Sequence, residues 1–93
     1  MAIQFEWDPH KAARNLDKHK VSFDEAKTVF RDRMLISLVD EEHSIDEERY
    51  ITIGMSARGR LLLVAPTVRG GQVRIISARK ATRKEEHFYA VAG

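Results

Sequence analysis

Basic side chains are concentrated near the end of the chain, at a spacing that suits phosphate binding. Arg74 and Arg79 lie at the two ends of a segment that leaves the last predicted strand, and Lys80 and Arg83 follow at once. Arginine binds phosphate well because its planar guanidinium pairs two oxygens at a time. Since its charge is permanent, it also stabilises a phosphorane without a proton transfer. The segment therefore indicates phosphate contact. A salt bridge to the acidic loop of residues 40–48 is the alternative, and the two interpretations do not exclude each other.

Charge is segregated along the chain, although its net value is only +2. Residues 40–48 contain many acidic residues and no Lys or Arg, whereas residues 69–84 contain many basic residues and no Asp or Glu. Segregated basic charge is typical of a surface that binds a polyanion such as nucleic acid. A solvated face of exposed Lys and Arg is the plainer alternative.

Imidazole groups are the natural candidates for proton transfer, because histidine titrates near neutral pH. The chain contains four histidines: His10, His19, His43 and His87. His19 is the most interesting, since Asn15, Lys18 and His19 share one face of a predicted helix. An equally good interpretation is that His19 closes the helix and interacts with its dipole. His43 lies within the acidic stretch and is interpreted as solvated, and the other two have no evident partner.

Glu48, Arg49 and Tyr89 are further candidates for chemistry. Glu48 directly precedes Arg49 at the start of a predicted strand, so alternation sends the two side chains to opposite faces. Tyr89 follows Glu85 by four residues on one face of the last predicted helix. Its ring and hydroxyl suit catalysis, base stacking or hydrogen bonding, and packing is the favoured interpretation.

Several metal-dependent and nucleotide-binding chemistries have no motif in this sequence. It lacks HExxH, P-loop and GxGxxG motifs and a carboxylate cluster of the two-metal nuclease type. The acidic stretch does not match an EF-hand loop. We therefore expect no metal and no cofactor. A nuclease of this kind would let the 2′-OH of RNA attack the adjacent phosphate and would supply a base, an acid and positive charge.

Length and composition indicate one small cytoplasmic domain. The 93 residues predict a single domain over 1–93, since domains typically have roughly 50–200 residues. The absence of cysteine excludes disulfides and thiolate metal sites and favours a cytosolic protein. The longest apolar run, residues 61–66, is far below the roughly 18 residues of a membrane span. Residues 2–8 lack the basic and apolar regions of a signal peptide.

Capping signals predict three helices. Asp8-Pro9 suits the N-cap and first position of a helix that ends near His19 or Lys20. Residues 22–25 and 82–85 read as capping boxes, in which each of the two polar side chains bonds the backbone N–H of the other residue. The residues expected to face the core from the second helix and the short last helix are Phe23, Ala26, Phe30, Phe88 and Val91.

Apolar runs and turn residues predict a strand before the helices and four antiparallel strands after them. The predicted strands cover residues 3–7, 34–39, 49–53, 61–65 and 72–77, with hairpin turns at 57–60 and 69–71. The strand 61–65 is apolar on both faces and is placed centrally. Pro66 should mark its end or a bulge, because proline cannot donate to the ladder. The predicted fold is α+β, with the order strand, two helices, four-stranded antiparallel sheet and short C-terminal helix.

Four segments of the chain, in the same order, resemble BrnT toxins, which have a RelE-like fold. They are Phe5 to Asp8 with Lys11, Ala12 and Asn15; Lys18-His19 with Val21 to Phe23, Glu25 and Ala26; Glu48-Arg49 with Gly54; and Arg74 to Arg79 with Ala81, Glu85 and Tyr89. The last segment is the most specific, and together they cover almost the whole chain.

The resemblance implies the toxin of a type II toxin–antitoxin system, a ribonuclease that blocks translation. It also implies a BrnA-type antitoxin with a ribbon-helix-helix DNA-binding part, through which the complex would bind operator DNA. By position, the implied catalytic residues are His19, Glu48, Arg49, Arg74, Arg79 and Tyr89. Lys18, Lys80 and Arg83 are the expected RNA-binding residues. A catalytically inactive RNA- or protein-binding module on the same scaffold is the alternative.

Two positions depart from the family pattern. Lys20 stands where these toxins commonly have glycine after the Lys-His pair. If the backbone is left-handed there, a non-glycine residue costs about 1 kcal/mol. Pro66 stands where an aromatic or histidine-like residue is usual in the central strand, which bears on strand pairing at that point. Neither departure removes a candidate phosphate ligand.

Overall fold

The helices and strands follow the predicted order, with a fifth strand in the sheet. The computed structural model describes residues 3–92. Its elements are β1 (Phe5–Glu6), α1 (Pro9–His19), α2 (Phe23–Ala26), β2 (Ile36–Val39), β3 (Tyr50–Met55), β4 (Leu61–Arg69), β5 (Gln72–Lys80) and α3 (Arg83–Ala92). Two 3₁₀ turns add to these, one continuing α2 (Lys27–Arg31) and one in the acidic stretch (Glu41–His43). No helix within residues 3–92 is long and apolar enough to cross a membrane.

The strands form one mixed sheet with the order β1-β5-β4-β3-β2. The prediction of four antiparallel strands is correct for β2 to β5. It is incomplete for the sheet, because β1 pairs with β5 in parallel, Phe5 opposite Val73. The predicted strand 3–7 shortens to two residues here. Phe5 explains why β1 joins the sheet, since its ring packs on Phe30 with 5.2 Å between centroids.

The hydrophobic core lies on one face of the sheet, which we call the helix face. Its fully buried sheet residues are Leu62, Val64, Ile75 and Ala78, covered by Val21, Phe23, Ala26 and Val29. Asn15 joins α1 to this core, because its side-chain nitrogen donates to the carbonyls of Val21 (2.9 Å) and Ala78 (2.8 Å). Its side-chain oxygen accepts from the N–H of Ala78 (3.1 Å). Asn15 therefore holds α1 against β5 and is not available to a ligand.

Local caps begin the helices where the sequence predicts. Asp8 accepts a hydrogen bond from the N–H of His10 and Ser22 accepts one from the N–H of Glu25. For the capping box predicted at residues 22–25, the reverse half is wrong, because the Glu25 carboxylate binds Arg60 and Ser56 instead of the Ser22 backbone. Glu25 is thus buried in contacts with distant residues and does not cap the start of its own helix.

The α1 helix ends in a left-handed residue, Lys20, with φ 59° and ψ 31°. The N–H of Lys20 donates to the carbonyl of Leu16, and the carbonyl of Lys20 accepts from the Arg60 guanidinium. Both hydrogen bonds involve only the backbone of Lys20. A Lys20→Gly substitution keeps these bonds and removes the Cβ strain, so we expect the free energy of unfolding to rise by about 1 kcal/mol. Urea denaturation measures this, with Lys18→Gly as the control, which should lose about 1 kcal/mol of helix stability. Equal losses in both variants would contradict the assignment of strain.

Pro66 lies within β4 at a bulge. The strand does not end there as one alternative held; it continues to Arg69, and the register with β5 shifts between Ala65 and Pro66. One extra residue of β5, Ile76, is accommodated at this point. The bulge alternative is therefore confirmed, and the proline's missing N–H falls where the ladder is already interrupted.

The α3 helix is attached by polar contacts. Thr82 and Glu85 form the predicted capping box, with each side chain bonding the other's backbone N–H. Burial of Phe88 and Val91 was predicted wrongly, since they are 43% and 67% exposed. The reason is that Glu85 and Tyr89, one turn apart, occupy the side of α3 that meets the rest of the molecule.

Candidate functional site

Four residues stand in one row across β1, β5, β4 and the position just before β3, on the face opposite the core, which we call the open face. Glu6 pairs with Arg74, Arg74 with Thr67, and Thr67 with Arg49. Paired residues of neighbouring strands point to the same face of a sheet. We call this set the arginine row. Two strand spacings place the α-carbons of Arg49 and Arg74 about 10 Å apart, a separation that two arginine side chains can bridge through one phosphate.

Arg49 is the member of the row with an unused donor. Its Nε atom is buried and, within residues 3–92, makes no hydrogen bond. The nearest carboxylate oxygen, Oε1 of Glu47, is 4.0 Å away. Glu47 is instead bonded to Arg69 at 2.9 Å. Within residues 3–92, Arg49 therefore has an unpaired guanidinium N–H, and its side chain is 38% exposed.

The electrostatics of the row are dominated by arginine. The Arg69 guanidinium holds the pKa of the Glu47 carboxyl below its ordinary value, and the charges of Arg49 and Arg74 act in the same direction. Within residues 3–92, the carboxylate bridged to Arg74 is that of Glu6, with Nη1 3.5 Å from Oε1. The alternative of a salt bridge from Arg74 or Arg79 to the acidic stretch is wrong within residues 3–92, because Arg74 bridges Glu6 and Arg79 bridges Glu85. The acidic stretch is bridged instead by Arg69, through Glu47.

The acidic loop, residues 40–48, borders the same part of the open face. A depression of about 210 Å³ is lined by Asp40, His43, Arg49, Ala65, Ile76 and Ser77. His43 was interpreted as solvated, and its side chain is indeed mostly exposed, but its Nδ1 lies 2.8 Å from Oδ2 of Asp40. An imidazole, a carboxylate and an arginine therefore meet at one depression.

A second depression, of about 310 Å³, follows the basic side of α1. It is lined by Lys11, Arg14, Asn15, Lys18, His19 and Ile76. Lys18 and His19, two of the predicted site residues, lie together here and not with Arg49. Ile76, the extra residue at the bulge, borders both depressions. A polyanion could therefore cross the edge of β5 from α1 to the open face.

Arg79 and Tyr89 are occupied in holding α3. Both terminal nitrogens of Arg79 donate to the Glu85 carboxylate, at 2.8 and 2.9 Å. The Tyr89 hydroxyl donates to Asp32, and this carboxylate raises the pKa of Tyr89 to about 12. Arg79 pairs with Leu63, four residues along β4 from Thr67, or about 14 Å from the arginine row. The structure does not bring these two residues together with Arg49 and Arg74.

The remaining predicted residues lie at the edges of these groups. Glu48 is exposed and accepts a hydrogen bond from the Tyr50 hydroxyl, on the side of the strand away from Arg49, as alternation predicts. Lys80 is exposed at the end of β5 and Arg83 is exposed at the start of α3. Residues 3–92 contain no group of three or more His, Cys, Asp or Glu side chains placed to hold a metal ion.

Sequence reasoning missed two pairs that the structure places at the row. Glu47 and Arg69 could have been found only from the strand register. Asp40 and His43 carried a local signal, because a spacing of three residues brings two side chains together in one helical turn.

Comparison with known proteins identifies a family and a similar solved structure. Residues 7–85 match the family model of BrnT, described as the ribonuclease toxin of type II toxin–antitoxin systems. Among solved structures, the chain is similar to the Brucella abortus ribonuclease toxin BrnT, with a TM-score of 0.64 and 20% sequence identity over 88% of this chain and 100% of that one. A search of curated proteins gave no match. At this identity the solved structure bears on the fold alone.

Proposed function

This chain belongs to the BrnT family of ribonuclease toxins, and we propose that it is a metal-independent endoribonuclease that cuts RNA and so inhibits translation. The observation that carries the proposal is the arginine row. Arg49 and Arg74 face the same side of the sheet, and Arg49 keeps a buried, unpaired N–H within residues 3–92. Paired arginines of this kind suit the phosphodiester that RNA cleavage must stabilise.

The proposed reaction uses the RNA itself as the nucleophile. The 2′-oxygen bonds to the adjacent phosphorus as the bond from phosphorus to the 5′-oxygen breaks, which leaves a 2′,3′-cyclic phosphate and a 5′-hydroxyl. Arg49 and Arg74 would bind the phosphate oxygens, on which negative charge increases in the phosphorane. Because their charge is permanent, neither has to change protonation during the step.

Flanking nucleotides would lie over the basic side of α1 and the end of β5. Lys18 and His19 line the depression on α1, and Lys80 and Arg83 extend the positive charge beyond β5. Contacts of this kind bind the RNA backbone without reading its sequence. Arg79 and Tyr89 stay proposals as catalytic residues, since RNA could reach them only by displacing Glu85 and Asp32. Glu48 likewise stays a proposal, because its side chain points away from the row.

The type II family also implies a cognate antitoxin in the same compartment, which we take to be the cytoplasm. We propose a BrnA-type partner with a ribbon-helix-helix part, through which the complex would bind operator DNA. An acidic segment of such a partner would suit the basic surface between α1 and the arginine row.

Cleavage of RNA by the purified chain should proceed in excess EDTA. We expect an RNA oligonucleotide to be cut with 2′,3′-cyclic phosphate ends, and the same oligonucleotide with 2′-deoxyribose at the cut position to be resistant, because the nucleophile is then missing. Mass spectrometry of the fragments identifies the ends. Cleavage that stops in EDTA and returns with Mg²⁺ would refute metal independence. Binding of RNA without any cleavage would instead support the inactive binding module.

A further inference from the structure

We propose that His43 is the general base of this reaction and that Asp40 is the residue that positions it. The proposal rests on the ribonuclease function above and goes beyond it by assigning the proton transfer. Its basis is the pair itself: Nδ1 of His43 lies 2.8 Å from Oδ2 of Asp40, beside Arg49 at the open face. A carboxylate can only accept a hydrogen bond, so Nδ1 carries a proton, and in the neutral imidazole Nε2 then has a free lone pair.

The backbone fixes this pair relative to Arg49. The N–H of Asp40 donates to the carbonyl of Arg49 (2.8 Å), and the N–H of Arg49 donates to the hydroxyl of Ser44 (2.9 Å). That hydroxyl donates in turn to the carbonyl of Asp40. The short turn Glu41–His43 begins directly from Asp40, with the N–H of His43 donating back to the Asp40 carbonyl (3.3 Å). The backbones of Asp40, His43 and Arg49 are therefore held together by hydrogen bonds that meet at Ser44 and the Asp40 carbonyl.

His43 reaches the space where a phosphate at Arg49 would lie. It lines the depression of about 210 Å³ with Arg49 and Ser77, and also a neighbouring one of about 510 Å³ with Arg49 and Arg69. The titratable or charged groups that share these spaces with His43 are Asp40, Glu42, Asp46, Glu47, Arg49 and Arg69. His19, the histidine favoured by the sequence, lines the separate depression on α1. Position relative to Arg49 therefore favours His43.

The proton inventory of the step is complete with these groups and water. Nε2 of His43 takes the proton of the 2′-OH as the bond from the 2′-oxygen to phosphorus forms. The bond from phosphorus to the 5′-oxygen breaks, and that oxygen takes a proton from water. Asp40 stabilises the imidazolium and keeps the ring oriented. The imidazolium then returns its proton to the hydroxide, so no metal or co-reactant is consumed.

The test is the pH dependence of single-turnover RNA cleavage, measured on the whole chain with a short RNA in EDTA. We expect the wild-type rate to fall at low pH, because a protonated imidazole cannot take the proton of the 2′-OH. His43→Ala should cut about 100 to 1,000-fold more slowly and should lose this low-pH fall, while its affinity for a 2′-deoxy analogue stays within a few-fold. His87→Ala, which removes an exposed histidine of α3, is the matched control and should behave as wild type.

Asp40 variants test whether Asp40 orients the His43 ring or only supports the fold. Asp40→Asn should lose less rate than His43→Ala and keep the low-pH fall, and Asp40→Glu should restore part of the rate. A His43→Ala variant with the wild-type rate and pH profile would overturn the assignment while leaving the ribonuclease function intact. Absence of cleavage by the wild-type chain would overturn both proposals.

Discussion

An Arg74→Ala variant is expected to cut RNA about 100 to 1,000-fold more slowly than the wild-type chain, because it removes a positive group placed where phosphorane charge increases. Its fold should be almost unaffected. The only carboxylate bridged to Arg74 within residues 3–92 is Glu6, at 3.5 Å, and both side chains are partly exposed. Such pairs contribute at most about 1 kcal/mol to the free energy of unfolding.

Single-turnover kinetics and a urea denaturation curve of the same protein sample test this prediction. Arg74→Lys should recover only part of the rate, since an ammonium keeps the charge but loses the two-oxygen fork. Arg31→Ala is the matched control, because Arg31 is exposed in the turn that continues α2, beside Phe5 and Phe30. Equal losses of rate in the Arg31 and Arg74 variants would show that overall charge, and not the arginine row, carries the effect.

Helix starts could be predicted because a cap depends on residues within one turn. Asp8, Ser22 and Thr82 each accept a hydrogen bond from a backbone N–H two or three residues further on. The pairing of β1 with β5 could not be predicted in this way. It joins Phe5 to Val73 across most of the chain, and nothing local in residues 3–7 specifies a parallel partner.

The sequence could identify the individual arginines of the site as candidates, but it could not predict which of them lie together. Arg49 and Arg74 share a row only through Thr67, which follows the bulge at Pro66 and therefore depends on a register shift. Arg79 has the same sequence signal as Arg74, yet its charge is used by Glu85. The resemblance to BrnT toxins, drawn from four short segments, is confirmed by the family match over residues 7–85.

The proton-transfer group shows a different limit. An exposed histidine in an acidic loop is most often solvated, and His43 was interpreted so. What changes the interpretation is the 3₁₀ turn, which places Asp40 against the imidazole, together with the bonds that tie Asp40 and Ser44 to Arg49. Loop geometry of this kind is set by backbone contacts with Arg49, just before β3, and cannot be obtained from composition alone.

A Glu25→Gln variant is expected to lose about 3 kcal/mol of its free energy of unfolding at neutral pH. The Glu25 side chain is only 3% exposed and accepts hydrogen bonds from Arg60 and from Ser56 (2.7 Å), with Arg58 3.6 Å away. Arg60 also donates to the carbonyl of Lys20, so this network joins α2, the β3–β4 turn and the end of α1. An uncharged amide in place of the carboxylate would leave Arg60 without its counter-ion, and breaking a buried pair typically costs about 3–5 kcal/mol.

The pH dependence gives this prediction its sign. Arg60 holds the pKa of the Glu25 carboxyl below its ordinary value of 4.5. The stabilisation is therefore fully present above that value and is lost as the pH falls through the lower pKa of the folded state. Urea denaturation should show wild type and Glu25→Gln far apart at neutral pH and closer together in acid. Glu47→Gln, which breaks the more exposed pair with Arg69, should cost at most about 1 kcal/mol. The role given to this ion pair would be contradicted if Glu25→Gln lost no more free energy of unfolding than Glu47→Gln. It would also be contradicted if the difference between wild type and Glu25→Gln did not become smaller in acid.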